Sequence, residues 1–340
     1  MKHFTLFAIV GTIYAILFGG TFFFWHDKFL LFPKLSLGET KLSLDNDTDT
    51  ITLLFAGDIM LDRGVEFYIN QHNDWKLPFL HIADTLKNAD LTFGNLESVI
   101  SDKGENQGSI YSFRADPKAL EGLIFAGFDV LSVANNHSLD YGSDALLDSI
   151  QRLKDSGIVP IGGGSNRYEA NAPVFKRYYT SKYDSAGTII AILAYTTMGS
   201  PLWQAGDNSP GVAWMDVSKL PQLKEDIELT GELSDITVVS FHFGEEYQTQ
   251  PSETQKLIAQ SAIDAGADIV IGHHPHVIQP VEQYKDGWIA WSLGNFVFDQ
   301  GFSKETMEGL LLEVRVEGKQ ITQVIPRVIR MNSLFQPKLQ

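Results

Sequence analysis

The sequence predicts an α/β domain with covered sheet faces and a second sheet packed on the first. Three observations carry this. Short apolar runs ending in glycine or a polar residue alternate with amphipathic stretches between Ile51 and Gly272, the signature of strand–helix units. From Val277 onward the pattern is strands alone. The chain has 340 residues and 44% hydrophobic content, enough for one large core or two smaller ones.

The elements follow in order. Phe4 to Trp25 carries no charge, and roughly 20 apolar residues can span a bilayer as a helix. Lys2 precedes it and Phe22, Phe23, Phe24 and Trp25 close it, which favours an uncleaved, single-pass anchor at residues 1–25 with a cytoplasmic N-terminus. A cleaved signal peptide is the alternative. Either places the remainder outside the cytoplasm. Residues 26–50 lack periodicity and end in a polar acidic run, which reads as a linker. The folded domain is expected over 51–335. Strands are expected at 51–57, 91–95, 128–135, 157–163, 188–195, 235–243 and 267–272. Helices are expected at 78–89, 117–127, 143–157 with Ser143 as N-cap, and 252–266. Strands then occupy 276–284, 287–298, 309–318 and 319–330, the last hairpin turning at Glu317–Lys319.

Composition excludes several functions. The net charge of −16 and pI of about 4.9 repel phosphate backbones, so no nucleic-acid partner is expected. The chain has no cysteine, which removes disulfides, thiolate metal sites and a cysteine nucleophile. Any metal must be held by His, Asp, Glu or Asn.

Ligands in open α/β sheets collect at the carboxyl ends of strands, and metal-ligand residue types recur there. The first strand ends at Asp58. The next tip carries Asn95 and Glu97, and the third Asn135, Asn136 and His137. Later tips carry His242, Glu245 and Glu246, then His273, His274 and His276, then Asn295 and Asp299. Imidazole and carboxylate together suit Zn, Mn or Fe. Each residue also has a plainer reading: Asp58 as a cap for a helix near Gly64, Asn135 and Asn136 as turn residues, His242 as a satisfied core histidine. Pro275 argues for extended chain, so His274 and His276 are expected to point together as ligands while His273 points the opposite way, either supporting the ligands from behind or exposed. Of the adjacent Glu245 and Glu246, one serves the site at most, and Glu246 is the choice. IGGGSN (161–166) lacks the Lys-Ser/Thr of a P-loop and reads as a flexible turn. Tyr195, Trp203 and Trp214 line a pocket or simply pack.

Six segments, GDIMLDR (57–63), NLES (95–98), SVANNHSLDYG (132–142), HFGEEY (242–247), GHHPHVIQPVE (272–282) and SLGNFVFD (292–299), together resemble the capsule synthesis CapA family, also called the poly-γ-glutamate biosynthesis (PgsA-like) family. The resemblance runs from about Ile51 to about Val316. That family looks like a branch of the calcineurin-like metallophosphoesterases, which implies a four-layer α/β/β/α sandwich and one or two divalent ions. By this resemblance Asp58, Asn136, His242, His274 and His276 are metal ligands, and His137 contacts the transferred group. The phosphoesterase pattern has histidine where this chain has Met60, and a bridging aspartate where it has Asn95. Either Glu97 takes the bridging role or the two-metal centre is altered.

The expected function is a membrane-anchored, extracytoplasmic, metal-dependent hydrolase or transferase for a capsule or poly-γ-glutamate-type polymer. His137 would be the general acid and Arg63 would contact anionic substrate. Asn95, Asn135, Glu246 and Asn295 would support substrate or ligands. Expected partners are the envelope polymer or its precursor, the membrane and other capsule-synthesis membrane proteins. The alternatives are a non-catalytic module that binds or exports an anionic polymer, and a secreted metallophosphoesterase.

Overall fold

The computed structural model describes residues 50–179 and 186–340; the expected anchor and all but the last residue of the linker lie outside them. β1 (Thr50–Ile59) leads into α1 (Arg63–His72) and α2 (Ala83–Lys87), then β2 (Leu91–Leu96), α3 (Ala119–Ala126), β3 (Val130–Ser132), α4 (Gly142–Asp155), β4 (Val159–Ile161) and α5 (Arg167–Ala170). β5 (Val174–Tyr178), β6 (Thr188–Thr196), α6 (Leu220–Gly231), β7 (Ile236–His242), α7 (Glu253–Asp264) and β8 (Ile269–His273) follow. The chain ends in β9 (Val281–Tyr284), β10 (Gly287–Ala290), β11 (Asn295–Val297), β12 (Glu308–Glu317), β13 (Gln320–Met331) and β14 (Pro337–Leu339).

These strands build two large sheets. One runs β14-β13-β12-β1-β2-β3-β4, with β11 also paired to β1; the other runs β9-β10-β8-β7-β6-β5. Alternation along the strands sorts side chains into layers. Leu53 and Phe55 of β1 pack with Ile190, Ile192, Val238 and Ile271 of the other sheet. Leu54 and Ala56 face the opposite way, toward α1, α3 and α4. Leu193, Val239 and Phe241 cover α6 and α7 through Leu223, Ile227, Ile258 and Ala262. The result is helices, sheet, sheet, helices. Each fully buried Phe or Leu of these layers contributes about 1.5–3 kcal/mol of burial.

The mixed α/β character matches expectation, but the C-terminal strands do not form the second sheet. β12, β13 and β14 extend the first sheet, because β12 pairs antiparallel with β1 from Thr50 to Phe55. The second sheet is built by the middle of the chain plus β9 and β10. The stretch read as one strand over 287–298 splits between the two sheets. It turns at Gly294 (φ 66°), where Gly57 approaches so closely that a Cβ there would lie 2.0 Å from the Gly294 carbonyl oxygen. Likewise only Val281–Tyr284 of 276–284 is strand. The expected helix at 78–89 is a 3₁₀ turn at Leu77–Phe79 followed by the short α2. Ser143 does not cap α4, which starts at Gly142. α1, α5, α6, β5 and β14 add to the elements read from the pattern. Asp62, not Asp58, caps α1.

β1, β2, β3 and β4 run parallel, as do β6, β7 and β8. Their registers align Asp58 with Asn95, and His242 with His273. Both sets of carboxyl ends therefore open at one end of the sandwich. The His274 backbone N–H donates to Asp58 Oδ2 (3.2 Å), joining the two sheets there.

Candidate metal centre

Asp58 is fully buried at the tip of β1. Its Oδ1 accepts from Asn95 Nδ2 at 2.8 Å. His273 Nδ1 lies 3.2 Å from Oδ1 and His276 Nδ1 3.4 Å from Oδ2. Burial raises the cost of ionising this carboxyl, but contacts with His273 and His276 outweigh it and hold Asp58 well below the usual carboxylate range.

Glu97 is equally buried, and its Oε1 has no hydrogen-bond partner. That oxygen faces His276 Nε2 at 3.6 Å and His137 Nε2 at 3.7 Å. Burial, then the charges of Asp58, Glu246 and Asp140, push its carboxyl well above the ordinary value. A buried unpaired carboxylate is costly, and a cation removes that cost.

The histidines complete the cluster. His242 Nε2 meets Asn136 Oδ1 at 2.7 Å, and its Nδ1 meets Asn95 Nδ2 at 3.2 Å. His274 Nδ1 is buried and partnerless. Burial and then the neighbouring imidazoles push His242 well below its ordinary value and His274 down to about 3. Both are neutral near pH 7, the ligating form of imidazole. His276 Nδ1 meets Asn295 Oδ1 at 3.0 Å, and Asn295 Nδ2 donates to the Thr306 carbonyl at 2.9 Å. The carbonyl fixes the Asn295 amide, so His276 Nδ1–H donates to Asn295 Oδ1 and Nε2 is the ring atom turned toward Glu97 Oε1. Three overlapping donor groups have ligand atoms within 4.8 Å of one another: Glu97–His242–His274, Glu246–His274–His276 and Asp58–Glu97–His276. These partnerless atoms and neutral imidazoles fit a divalent cation.

Most residues expected at the site converge. Asn95 lies at its centre and Asn135 behind it, donating to Asn95 Oδ1 at 3.1 Å. Glu246 is exposed but reaches His274 and His276, whereas Glu245 joins none of these donor groups. Two expectations differ. His274 (φ 96°) and His276 (φ 58°) are left-handed, so the His-Pro-His run is not extended chain. Nor is His273 exposed: it is fully buried, with its ring against Phe93 and beside Asp58, supporting the ligands from behind. Arg63 is engaged rather than free. Its guanidinium pairs with Asp299 and lies 4.7 Å over the Phe113 ring.

Two residues at the site were not singled out. Asp140 Oδ2 accepts from His137 Nδ1 at 2.7 Å and from the Phe113 backbone N–H at 2.8 Å. Phe113 stacks on His137 with centroids 4.0 Å apart. The three-residue spacing of His137 and Asp140 was a readable signal; Phe113 left none. Asp140 accepts from Nδ1, which leaves His137 Nε2 facing Glu97 Oε1 at 3.7 Å. Met60 supplies no donor. It is buried in the core between the first sheet and its helices.

Elsewhere, Tyr195 is buried in the core beside α6 and α7, and its hydroxyl meets Asp226 at 3.0 Å. Trp203 and Trp214 pack on the first sheet's helical side. In IGGGSN, Glu169 accepts from both the Ser165 N–H and its hydroxyl, and Gly163–Gly164 pairs with Gly211–Val212. The turn is structural.

The family model described as bacterial capsule synthesis protein PGA_cap matches residues 52–300. The chain is 33% identical over 293 residues to the capsule biosynthesis protein CapA of Bacillus anthracis, covering 84% of this chain and 69% of that one. It is 29% identical over 322 residues to the PGA biosynthesis protein CapA of Bacillus subtilis (strain 168), covering 93% and 77%. Among solved structures, an NAD nucleotidase from Haemophilus influenzae superposes with a TM-score of 0.44 at 12% identity, over 86% of this chain and 53% of that one. The match over 52–300 includes every residue of the cluster, and the chain belongs to the bacterial capsule synthesis protein family.

Proposed function

We propose that the chain is a membrane-anchored, metal-dependent hydrolase or transferase that acts outside the cytoplasm on a capsule polymer of the poly-γ-glutamate type or on its precursor. The observation that carries this is the pair of buried, partnerless ligand atoms, Glu97 Oε1 and His274 Nδ1, within a set of neutral histidines and carboxylates. Glu97, His274 and His276 with Asp58 would hold a divalent ion of the Zn, Mn or Fe kind, and Asn136 and His242, hydrogen-bonded to each other at 2.7 Å, would join them as ligands on giving up that bond. Such an ion supplies Lewis acidity. His137, oriented by Asp140, delivers or takes up a proton at Nε2. The anchor at residues 1–25 and the metallophosphoesterase type of sandwich are part of the same reading, supported by the apolar N-terminus and the layer order.

The test is metal content of the purified full-length protein, wild type against a variant with His274→Ala and His276→Ala. The double variant is expected to lose the metal, and equal content in both would sink the reading. The rival is a non-catalytic module that binds or exports the polymer, favoured by the absence of a donor at Met60. It requires that His137→Ala leave capsule production intact.

A further inference from the structure

We infer that the centre takes a single divalent ion, because the Asn95 side-chain amide presents its NH₂ group where a second ion would need a shared ligand. The inference rests on the metal-binding reading above and adds the ion count and the residue that sets it.

The orientation of two asparagines decides the matter, and backbone groups fix it. The His137 backbone N–H donates to Asn135 Oδ1 at 3.0 Å, and Asn135 Nδ2 donates to the Leu96 carbonyl at 2.8 Å. A backbone N–H can only donate and a carbonyl can only accept, so Asn135 has one allowed orientation. Its NH₂ group then also donates to Asn95 Oδ1 at 3.1 Å. That consumes the Asn95 carbonyl and turns the Asn95 NH₂ group toward the cluster. There Nδ2 lies 2.8 Å from Asp58 Oδ1, 3.2 Å from His242 Nδ1 and 3.4 Å from Glu97 Oε2. Reversing Asn95 would set its carbonyl against two carboxylates and its NH₂ against another NH₂.

An amide NH₂ has no lone pair for a metal, and its hydrogens carry partial positive charge. Placed among three donors, it ties up one oxygen of Asp58 and one nitrogen of His242, and repels a cation from the space between them. Two-metal sites hold their ions about 3.5–4 Å apart with a ligand between, and Asn95 cannot serve as one through nitrogen. Met60, two residues past Asp58, adds no donor, since its side chain lies in the hydrophobic core and its sulfur accepts from the Asp62 N–H. Among the described residues, Glu97 Oε1 and His274 Nδ1 are buried without a partner and belong to the donor groups, with His276 Nε2 3.6 Å from the former; the partnerless ring nitrogens of His273, beside Asp58, belong to none of those groups.

The test loads purified full-length protein with Mn(II), removes excess, counts ions per chain and records the electron paramagnetic resonance spectrum. Wild type is expected to hold one ion with the spectrum of isolated Mn(II). Asn95→Asp, which exchanges the NH₂ for a ligating oxygen, is expected to hold two ions with a spin-coupled spectrum. Asn95→Ala, which removes the NH₂ and adds no ligand, is expected to stay at one. Two ions in wild type would overturn the inference while leaving the metal reading intact. No ion in wild type would overturn both. A folded Asn95→Asp that still holds one ion would overturn the role given to Asn95. Should that variant fail to fold, the wild-type count and spectrum still decide.

Discussion

Glu97→Gln should change the stability of the metal-free and metal-loaded protein in opposite directions. Glu97 is fully buried, Oε1 lacks a partner, and burial together with Asp58, Glu246 and Asp140 raises its carboxyl well above the ordinary 4.5. Without metal the folded state keeps the proton while the unfolded chain releases it above pH 4.5. The folded state then binds more protons, so stability falls as pH rises from 4.5 toward the raised folded value. Holding that proton near pH 7 costs at most about 3 kcal/mol, and near pH 5 less than about 1 kcal/mol. Glutamine keeps the shape and removes the cost. In EDTA near pH 7 the variant should melt higher, by up to roughly 6 °C at about 2 °C per kcal/mol, and the gap should shrink toward pH 5. With Mn(II) at about a hundredfold its Kd, wild type gains about 2.7 kcal/mol, and the variant, short of one donor, gains much less. Thermal melts with and without metal at the two pH values read this directly. A variant that melts lower than wild type in EDTA near pH 7, or that gains as much from Mn(II), would refute the reasoning.

Asp140→Asn should retain fold and metal but lower capsule polymer output by about 10²–10⁴ in rate, because His137 loses the acceptor that fixes its Nδ1 proton; polymer assay of a complemented deletion strain checks it. Burial opposes ionisation of Asp148, but Lys103, Arg152 and Ser101 outweigh it and lower its carboxyl to about 2. Its stabilisation, ~1 kcal/mol once solvent screening of the partners is allowed for, should be present above pH 3.8 and vanish as pH falls through about 2. Urea titrations of Asp148→Asn against wild type should converge accordingly. Gly57→Ala should cost about 3 kcal/mol or more, since its Cβ would lie 2.0 Å from the Gly294 carbonyl oxygen; a urea midpoint equal to wild type would contradict that contact. Phe55→Ala should cost about 3–5 kcal/mol in the same assay, from the cavity left between the sheets.

Much of the α/β layout was legible because burial on both faces writes itself into sequence as apolar runs. ITLLFAG and ITVVSFH read as strands for that reason, and lie in β1 and β7. Where the signal was local, it misled. Pro78 sits in a 3₁₀ turn within the expected helix, and GWIAWSLGNFVF hides a passage between sheets at a glycine whose need is set by Gly57, far away in the chain. The donor residues were legible one by one, through chemistry and position at strand ends. His273 lies buried beside Asp58 rather than exposed, because the extended chain assumed around Pro275 is replaced by left-handed residues on either side.

The sequence by itself determined the layered α/β class, the strand-tip supply of Asp58, Asn95, Glu97, Asn136, His242, His274 and His276, and the absence of thiolate chemistry. Alternation, composition and residue type are properties of short windows. The tertiary structure alone decided that β12 to β14 join the first sheet, that Asp140 and Phe113 hold His137, and that Asn95 turns its NH₂ toward the ligands. Those outcomes depend on contacts between distant segments: Thr50–Phe55 against β12, Asp58 against the His274 backbone, and the His137 N–H and Leu96 carbonyl that together orient Asn135. A hydrogen bond's direction is set by what stands opposite it, and only the folded chain places that partner.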